Sequence, residues 1–365
     1  IDYDYIKDPG EYYEAHYKAL YNQLRYVKGL SENDAYTQAN INMVGNTKEN
    51  GGLTYNVFNY PENEYLIGKD GRLNPNAKLG RVVNGYTLSP DDWVDEAYSS
   101  AFRQEYNVNI SGGTNKMQMY GSFGYLNDEG IVPNAGYERY SARFKGSYQA
   151  KSWLKFGANV NYTHSETSTL SEDYSTDMSS VVEQVAPIYP VYIRDEHGNI
   201  MTDENGKLYD YGTTNTALGL ARPVLPNSSI QSSILNLSET NANTFNGNGF
   251  VDITFLKDFK FTFNAGTTVR EQRYFTTSNP FYGFGAEQNG TISVYHYRTT
   301  TLNLQQILNY NRSFGKHNVS AMLGHENYKY NYVQLSAGKK NMFSYWENHE
   351  LNGAIIDAAS ANSYA

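Results

Sequence analysis

Segments in which apolar and polar residues strictly alternate recur along this chain. In 155–163, one side of the alternation carries Phe156, Ala158, Val160 and Tyr162. The segment 259–269 repeats the pattern with Phe259, Phe261, Phe263, Ala265 and Val269. Alternation with a period of two over about ten residues predicts a strand with one apolar and one polar face. Repeated between long polar loops, it predicts a membrane β-barrel wall with lipid on one side and water on the other.

The same pattern predicts eight antiparallel strands. They lie near 104–112, 116–126, 137–150, 153–166, 246–257, 259–273, 293–313 and 317–335. Tight turns, such as 256–258 and 313–316, alternate with long connections at 167–245 and 274–292. Outer-membrane barrels have short periplasmic turns and long extracellular loops, whereas a soluble sandwich has no reason to sort its loops by length. We therefore expect an all-β, antiparallel transmembrane barrel wall with long extracellular loops.

The first part of the chain has a different pattern. Tyr and Leu recur at spacings of three and four from 11 to 26, which predicts an amphipathic helix with Asp8 as cap and Pro9 in its first position. Ser31 with Asp34 has the character of a capping box and predicts a second helix. Both would form a short helical insertion in a loop.

These patterns divide the chain into three parts. We interpret 1–103 as a loop-rich segment with the helical insertion, lying between barrel strands. Residues 104–345 would hold the strands and the two long loops, and 346–365 would be a loop or an incomplete segment.

Composition restricts how this chain can meet a membrane. Only 39% of the 365 residues are hydrophobic, the mean hydropathy is −0.64, and no apolar run approaches the ~20 residues of a transmembrane helix. Any spanning must therefore use strands. The 35 Tyr residues suit strands, aromatic girdles at the bilayer interface and sugar-stacking surfaces. Composition alone fits a Tyr-rich soluble β-sandwich equally well.

Charge and cysteine content exclude several classes of function. The net charge of −9 argues against a nucleic-acid partner, because phosphate binding needs a basic surface. The absence of Cys excludes a disulfide scaffold and Cys-ligated zinc. No signal peptide follows Ile1, so we expect an upstream segment to have been removed or left out.

No catalytic pattern stands out. The seven His have no metal-ligand spacing, and there is no nucleophile elbow, P-loop or dinucleotide fingerprint. The acidic stretch 195–204 predicts a solvated hairpin, with a calcium site as the alternative, although the EF-hand order is not met. We interpret the chain as a non-enzyme with no catalytic residues, no metal and no cofactor.

An ordered series of segments resembles one known family. The series comprises Asp91–Glu96, Phe102–Lys116, Tyr120–Gly130, Tyr137–Arg143, Trp153–Asn159, Asn279–Gly283 and Phe314–Val319. It is similar to the SusC/RagA-like, TonB-dependent outer-membrane transporters of Bacteroides-type bacteria. The similarity is colinear over about 1–345, and its specificity lies in the order of the segments, because any one of them would be a weak signal.

The resemblance implies that these strands are part of a larger barrel. The family's barrel has about 22 strands, whereas we count eight here. The N-terminal plug domain and TonB box of the family are absent from this sequence, and 355–365 does not have the pattern of a terminal barrel strand. We expect an early-to-middle piece of a longer protein, without the plug and the C-terminal strands.

The resemblance also implies a function and its partners. The expected activity is TonB-dependent import of oligosaccharides or peptides across the outer membrane of a Gram-negative bacterium. A SusD-like surface lipoprotein would act as a lid, TonB would supply energy through the plug, and transporter–lid pairs could form dimers. The alternative is a stand-alone β-rich surface protein that binds glycans or host partners without transport. The sequence does not identify the cargo.

Aromatic residues of the long loops are the candidates for contact with cargo or lid. They are Tyr189, Tyr192, Tyr209, Tyr211, Phe281, Tyr282, Phe284 and Trp346. The alternative is that these rings pack the loops against one another.

A role in the interface girdle or in loop packing is expected instead for Trp93, Trp153, Tyr106, Tyr125 and Tyr162. On the strands, charged residues expected to face the lumen are Arg139, Arg143, Lys145 and Glu326. On the lipid face near mid-membrane, Arg or Lys would cost about 2–4 kcal/mol.

Overall fold

A computed structural model describes residues 6–170, 178–204, 206–281, 283–344, 350–355 and 360–364. The chain forms two compact units, each built from three segments. The first, here called the loop unit, comprises 1–100, 170–236 and 279–288. The second, the sheet unit, comprises 101–169, 237–278 and 289–365.

The loop unit combines short helices with two-stranded ribbons. Its α-helices are α1 (Pro9–Asn22), α2 (Glu32–Met43), α3 (Trp93–Ala97), α4 (Met178–Gln184) and α5 (Ile230–Leu235). A π-helical turn spans Gln23–Val27, and 3-10 turns span Lys48–Asn50 and Gly283–Gln288. Its antiparallel ribbons pair β1 (Phe58–Asn59) with β2 (Lys78–Leu79), β3 (Arg81–Val83) with β4 (Tyr86–Leu88), and β9 (Thr202–Asp203) with β10 (Gly206–Lys207).

The two predicted helices of the loop unit are confirmed, together with their caps. The Asp8 carboxylate accepts a hydrogen bond from the backbone N–H of Glu11 at 2.8 Å, and Pro9 occupies the first helical position of α1. The Ser31 hydroxyl accepts from the N–H of Asp34 at 3.1 Å at the start of α2. Each contact satisfies one of the backbone donors that a helix leaves free at its N-terminus.

The sheet unit contains one antiparallel sheet of nine strands among the residues described. They are β5 (Arg103–Gly113), β6 (Met117–Glu129), β7 (Gly136–Lys151), β8 (Leu154–Leu170), β11 (Leu237–Phe255), β12 (Phe259–Ser278), β13 (Thr291–Phe314), β14 (His317–Lys340) and β15 (Ser360–Tyr364). Their spatial order follows the chain from β5 to β15, with β11 beside β8. A 3-10 turn, Leu351–Gly353, precedes β15.

All eight predicted strands are present, but four of them extend further into the long connections. β11 begins at Leu237, nine residues before the predicted start at 246, and its Ser238 still pairs with Thr276 of β12. Residues 238–244 are polar on both faces apart from Ala242, so the period-two signal disappears while the backbone ladder continues. Strands β8, β12 and β13 also extend into these connections, and β14 continues to Lys340.

A ninth strand lies in the region 346–365, which we expected to be a loop or an incomplete segment. β15 pairs with β14 in a register that joins Tyr364 to Gln334 and Ser360 to Gly338. This five-residue strand is rich in Ser, Ala and Asn and lacks apolar alternation, so nothing in its side-chain pattern identifies it as a strand.

Tight turns fix the hairpin registers. In the β13–β14 hairpin, Phe314 pairs with His317 across Gly315, which has a φ of +59°. This left-handed conformation carries little steric cost for glycine. The register set there continues without a shift to the far end of both strands, where Thr291 pairs with Lys340. Among the described residues, no helix is both long enough and apolar enough to span a bilayer.

Candidate functional site

The sheet has one apolar and one polar face, and the apolar face is exposed. Cross-strand partners share a face, and the register joins Phe144 to Val160 on one side. That face carries exposed side chains such as Val108 (69% exposed), Phe123 (52%) and Phe156 (44%). Soluble proteins rarely expose a contiguous apolar surface of this extent. The alternation predicted for β8 and β12 is therefore present, and its apolar side carries exposed side chains.

Two rows of aromatic rings cross the apolar face. The first runs over four strands through ring pairs at 6.3, 5.0 and 6.5 Å, formed by Tyr106, Tyr125, Tyr140 and His164. The second runs over three strands at 5.6 and 4.9 Å, formed by Phe255, Phe259 and Tyr310.

The spacing of aromatic residues along one strand matches the height of a membrane band. On β8, His164 lies eight residues after Phe156. The ring centre of Phe156 lies 5.8 Å from that of Tyr148 on β7. Eight residues of strand extend about 26 Å, or about 20 Å across a bilayer at the usual barrel tilt, against an apolar band of about 25 Å. Tyr106 and Tyr125 lie in the first aromatic row, and their role in an interface girdle stays a prediction.

The other candidates for the girdle lie in different surroundings. Tyr162 is exposed on the apolar face, and its hydroxyl donates to Oδ1 of Asn243 at 2.6 Å. Trp153 is half exposed in the β7–β8 turn. Trp93 belongs to the loop unit, where it is buried and donates from Nε1 to the carbonyl of Tyr189 at 2.9 Å. Trp93 therefore has the loop-packing role.

The polar face carries ion pairs and amide contacts between strands. Arg143 donates from Nε to Oδ1 of Asn159 at 2.9 Å. Arg139 lies 3.8 Å from Glu105, and Lys145 lines the same face of β7 by its position in the strand. The charged side chains expected to face the lumen are thus on the polar face, where they find partners at low cost.

A cluster of amides around one carboxylate lies on the polar face of β12, β13 and β14. Glu326 accepts hydrogen bonds from Asn303 at 2.8 Å and from Gln305 at 3.2 Å. Asn264 donates to Gln305 at 3.4 Å. Amide and carboxylate groups exposed together can exchange hydrogen bonds with a neutral polar ligand. We call this group the amide–carboxylate cluster.

A row of neighbouring tyrosine rings shares that face and was not predicted from the sequence. Its rings lie 5.5, 6.2 and 6.3 Å apart in the order Tyr274, Tyr295, Tyr297 and Tyr332. The available signal was Tyr at every second position, in 295–297 and again in 328–332. Such spacing places rings on one face of a strand, but it does not say which face.

Three of the predicted contact residues are buried in the loop unit. Tyr189, Tyr192 and Tyr211 are 2–4% exposed. The hydroxyl of Tyr189 donates to the carbonyl of Leu53 at 3.1 Å, and that of Tyr192 donates to the carboxylate of Glu96. Their burial favours the packing role that the sequence left as the alternative.

The remaining predicted contact residues do not form one site with these three. Tyr209 is half-buried and its ring lies 4.9 Å from that of Tyr192. Phe281 is half-buried at the end of the described segment 206–281. Tyr282 and Trp346 lie outside the described residues, as does the side chain of Phe284. Contact with cargo or lid stays a prediction for this group.

Buried charged and polar pairs hold the loop unit together. Arg194 makes a two-point contact with the Asp91 carboxylate at 2.6 and 2.9 Å, and both side chains are about one-tenth exposed. Tyr55 donates to Oδ2 of Asp210 at 2.8 Å. Burial raises the pKa of both Tyr55 and Asp210, which keeps the phenol protonated at neutral pH and opposes ionisation of the carboxyl. Buried partners of this kind fix long loops in one arrangement.

In the acidic hairpin predicted around 195–204, the carboxylate of Asp195 stabilises a turn. Oδ1 of Asp195 accepts from the N–H groups of His197 and Asn199, each at 2.9 Å, and Oδ2 accepts from the Asn199 side chain at 3.0 Å. These hydrogen bonds, led by that from the Asn199 side chain, lower the pKa of Asp195. The arrangement is that of a solvated hairpin. Within the described part of the chain, no group of three or more His, Asp or Glu residues could hold a metal ion.

A cavity in the loop unit offers a second candidate surface. It has a volume of about 820 Å³ and lies between α1, α2 and the turn 69–72, within the usual size range of ligand pockets. Its lining includes Tyr21, Tyr36 and Glu32, with Lys69 placed 5.7 Å from the ring centre of Tyr36. Aromatic rings with adjacent carboxylates suit polar ligands, and no local sequence pattern predicted this cavity.

Comparison with known sequences finds similarity to three curated receptors. The chain is 24% identical over 241 residues to TonB-dependent receptor P26 of Formosa agariphila, covering 65% of this chain and 22% of that protein. It is 26% identical over 254 residues to TonB-dependent receptor P3 of the same organism, covering 67% and 23%. For TonB-dependent receptor SusC of Bacteroides thetaiotaomicron, the identity is 24% over 246 residues, covering 64% and 24%. No family model matches.

Solved structures share the fold. The structure of the RagAB peptide transporter aligns with a TM-score of 0.62 at 18% identity, covering 98% of this chain and 36% of that chain. The open-open state of the RagAB peptide importer aligns with a TM-score of 0.55 at 21% identity, covering 75% and 30%. The chain spans less than a quarter of the length of the curated relatives that it matches.

Proposed function

We propose that this chain, which is SusC/RagA-like in sequence and in fold, forms part of an outer-membrane transporter that imports oligosaccharides or peptides. The resemblance drawn from the ordered segments is confirmed by the similarity to TonB-dependent receptors. The fold agrees with that of the RagAB chains. These relatives are receptors or transporters, which is consistent with a protein that is not an enzyme.

One observation carries the proposal, namely an exposed apolar face crossed by two aromatic rows. In a water-soluble sheet the apolar face is covered, whereas in a membrane barrel it contacts lipid and the polar face lines the lumen. The ion pairs and amide groups of the opposite face suit a water-filled passage for neutral polar cargo. The predicted location is therefore the outer membrane.

The proposed partners follow from the relatives. RagAB is a peptide importer, and the SusC relative is a TonB-dependent receptor. By analogy, we expect this transporter to work with a SusD-like lipoprotein lid and to draw energy from TonB through a plug domain. Dimers of transporter–lid pairs are part of the same expectation.

Deletion of the gene tests the proposal. A strain without this protein should lose growth on at least one oligosaccharide or peptide as sole nutrient source, and re-expression should restore it. Fractionation should place the protein in the outer membrane. Normal growth of the deletion strain on every glycan and peptide tested, together with recovery of the protein in detergent-free buffer, would favour the stand-alone surface protein instead.

A further inference from the structure

The neighbouring tyrosine rings continue down β14 as a longer row. Tyr332 is followed on the same face by Tyr330 and Tyr328, which are 57% and 60% exposed. We call the six residues the tyrosine ladder, and they are Tyr274, Tyr295, Tyr297, Tyr332, Tyr330 and Tyr328. The register joins Tyr328 to Asn303, so the ladder ends at the amide–carboxylate cluster.

The ladder is long enough to contact an extended ligand. Along β13, Asn303 lies eight residues beyond Tyr295, and eight residues of strand extend about 26 Å. Tyr295 pairs with Tyr274 of β12 near the ends of these strands that join the loop segment 279–288. The ladder therefore leads from the loop end of the sheet along the polar face.

The side on which these rings lie is unusual for this sheet. At corresponding positions on its other face, β14 carries His325, Asn327, Lys329 and Asn331. That face is apolar on β12, where Phe263 and Ala265 occupy the matching levels. Shifting β14 by one residue would exchange its two faces and place the tyrosines with the other apolar residues. The register instead holds the exposed rings on the same face as Asn303 and Gln305.

We propose that the tyrosine ladder binds a neutral oligosaccharide along the polar face. This inference rests on the proposed function and specifies its cargo. Sugar rings present C–H faces that stack on aromatic rings, while their hydroxyls can exchange hydrogen bonds with Asn303, Gln305 and Glu326. A peptide would instead use backbone hydrogen bonds to a strand edge, so peptides of matched length serve as the competing ligands in the test. The Glu326 carboxylate disfavours an anionic sugar.

The test compares two triple variants of the full-length transporter in its own host. Tyr328, Tyr330 and Tyr332 are replaced together by Ala in one variant and by Phe in the other, since Phe retains the ring without the hydroxyl. Purified in detergent, each is titrated with neutral hexose oligosaccharides and with peptides of matched length. Loss of three stacking contacts should weaken oligosaccharide binding about tenfold or more in the Ala variant, whereas the Phe variant should bind within about threefold of the parent.

A matched control separates the ladder from general effects of losing tyrosine. Tyr106 is also 60% exposed, but it lies on the apolar face, and its Ala variant should bind oligosaccharide like the parent. Parent-like circular dichroism and outer-membrane yield would show that the triple Ala variant folds, and if it does not, single Ala variants take its place. Unchanged oligosaccharide binding in the Ala variants, or parent binding to peptides alone, would overturn the ladder proposal.

Growth data distinguish failure of the ladder from failure of the transporter assignment. If deletion of the gene abolishes growth on an oligosaccharide but the Ala variant supports it normally, the ladder proposal fails and the transport function stands. If deletion does not reduce growth on any nutrient, the proposed transport function is wrong. The proposal that the ladder binds imported cargo is then wrong as well.

Discussion

The two units of this protein use the same residue, tyrosine, in opposite ways. In the loop unit, Tyr13 and Tyr55 are completely buried, and the Tyr13 hydroxyl donates to the carbonyl of Tyr55 at 2.5 Å. In the sheet unit, Tyr106 and Tyr140 are 60% and 42% exposed, and they stack in a row on the apolar face. In the loop unit, the environment of a tyrosine thus depends on how deeply it is buried. In the sheet unit, it depends on which face of the sheet the residue occupies.

Charged residues show the same contrast. In the loop unit, Arg194 and Asp91 form a pair that is about one-tenth exposed. In the sheet unit, Arg103 pairs with Glu105 at 3.3 Å and with Asp128 at 3.6 Å, and all three side chains are exposed. A buried core makes individual contacts expensive to remove, whereas a two-faced sheet depends mainly on which side each residue occupies.

The largest expected effect is the loss of a buried ring. Tyr55→Ala should lower the free energy of unfolding of the loop unit by about 3–5 kcal/mol, because it opens a cavity and removes the hydrogen bond that Oδ2 of the buried Asp210 accepts. Tyr106→Ala is the matched control and should change stability by less than about 1 kcal/mol. Proteolytic cleavage within 178–204 as a function of denaturant measures both. Equal effects of the two substitutions would contradict the conclusion that burial determines how much a tyrosine contributes to stability.

A lysine placed on the apolar face should have the next largest effect. Val160→Lys should destabilise the protein in lipid vesicles by about 2–4 kcal/mol if this face contacts hydrocarbon. The adjacent Asn161→Lys places the same charge on the polar face and should cost less than about 1 kcal/mol. The comparison is made from urea midpoints in vesicles. A neutral effect of Val160→Lys would mean that water, not lipid, covers the apolar face.

Removing one member of a buried ion pair should have a smaller effect. Arg194→Ala should cost about 1.5–3 kcal/mol, the range for hydrogen bonds to charged groups, since the carboxylate of Asp91 loses its charged partner and keeps only the backbone N–H groups of Val191 and Tyr192. Arg103→Ala removes an exposed pair and should cost about 0–1 kcal/mol. Thermal unfolding midpoints of the detergent-solubilised protein compare the two. A larger loss of stability in Arg103→Ala than in Arg194→Ala would contradict the expected difference between buried and exposed ion pairs.

The mildest substitution alters a pH dependence. Burial raises the pKa of Asp210 above its usual 3.8, so above pH 3.8 the folded state binds a proton that the unfolded state has released. Stability should therefore decrease as the pH rises from about 3.8 towards the raised pKa, with a slope of at most about 1.4 kcal/mol per pH unit. Asp210→Asn should remove this slope and change stability little at low pH. A slope retained in the Asn variant would assign it to another group.

The elements with strong local signals were predictable. Asp8, Pro9 and Ser31 identified the starts of two helices, because capping is a local interaction. The alternation in β8 and β12 identified strands and their faces, because it reflects a periodic environment. The extensions of the strands and β15 were not predictable, since backbone pairing there continues without a matching side-chain pattern.

The candidate contact residues were harder to predict than the strands. An aromatic residue in a long loop has no local feature that separates packing from ligand contact, so Tyr189, Tyr192 and Tyr211 could not be distinguished from exposed rings. Tyr189 and Tyr192 contact residues about 100 or more positions away, namely Leu53, Glu96 and Asp91. Chain separation of this size leaves no trace in a sequence window.

The sequence by itself determined that the sheet unit consists of strands with one apolar and one polar face, because a period of two in side-chain polarity is compatible with little else. Only the tertiary structure decided which face Tyr328, Tyr330 and Tyr332 occupy. Their strand alternates Tyr with Asn and Lys, and its pattern alone would place the rings on the apolar side. The continuous register from the turn at Gly315 instead pairs Tyr328 with Asn303. Backbone hydrogen bonds along 24-residue strands fix that register, and one residue of shift would reverse it.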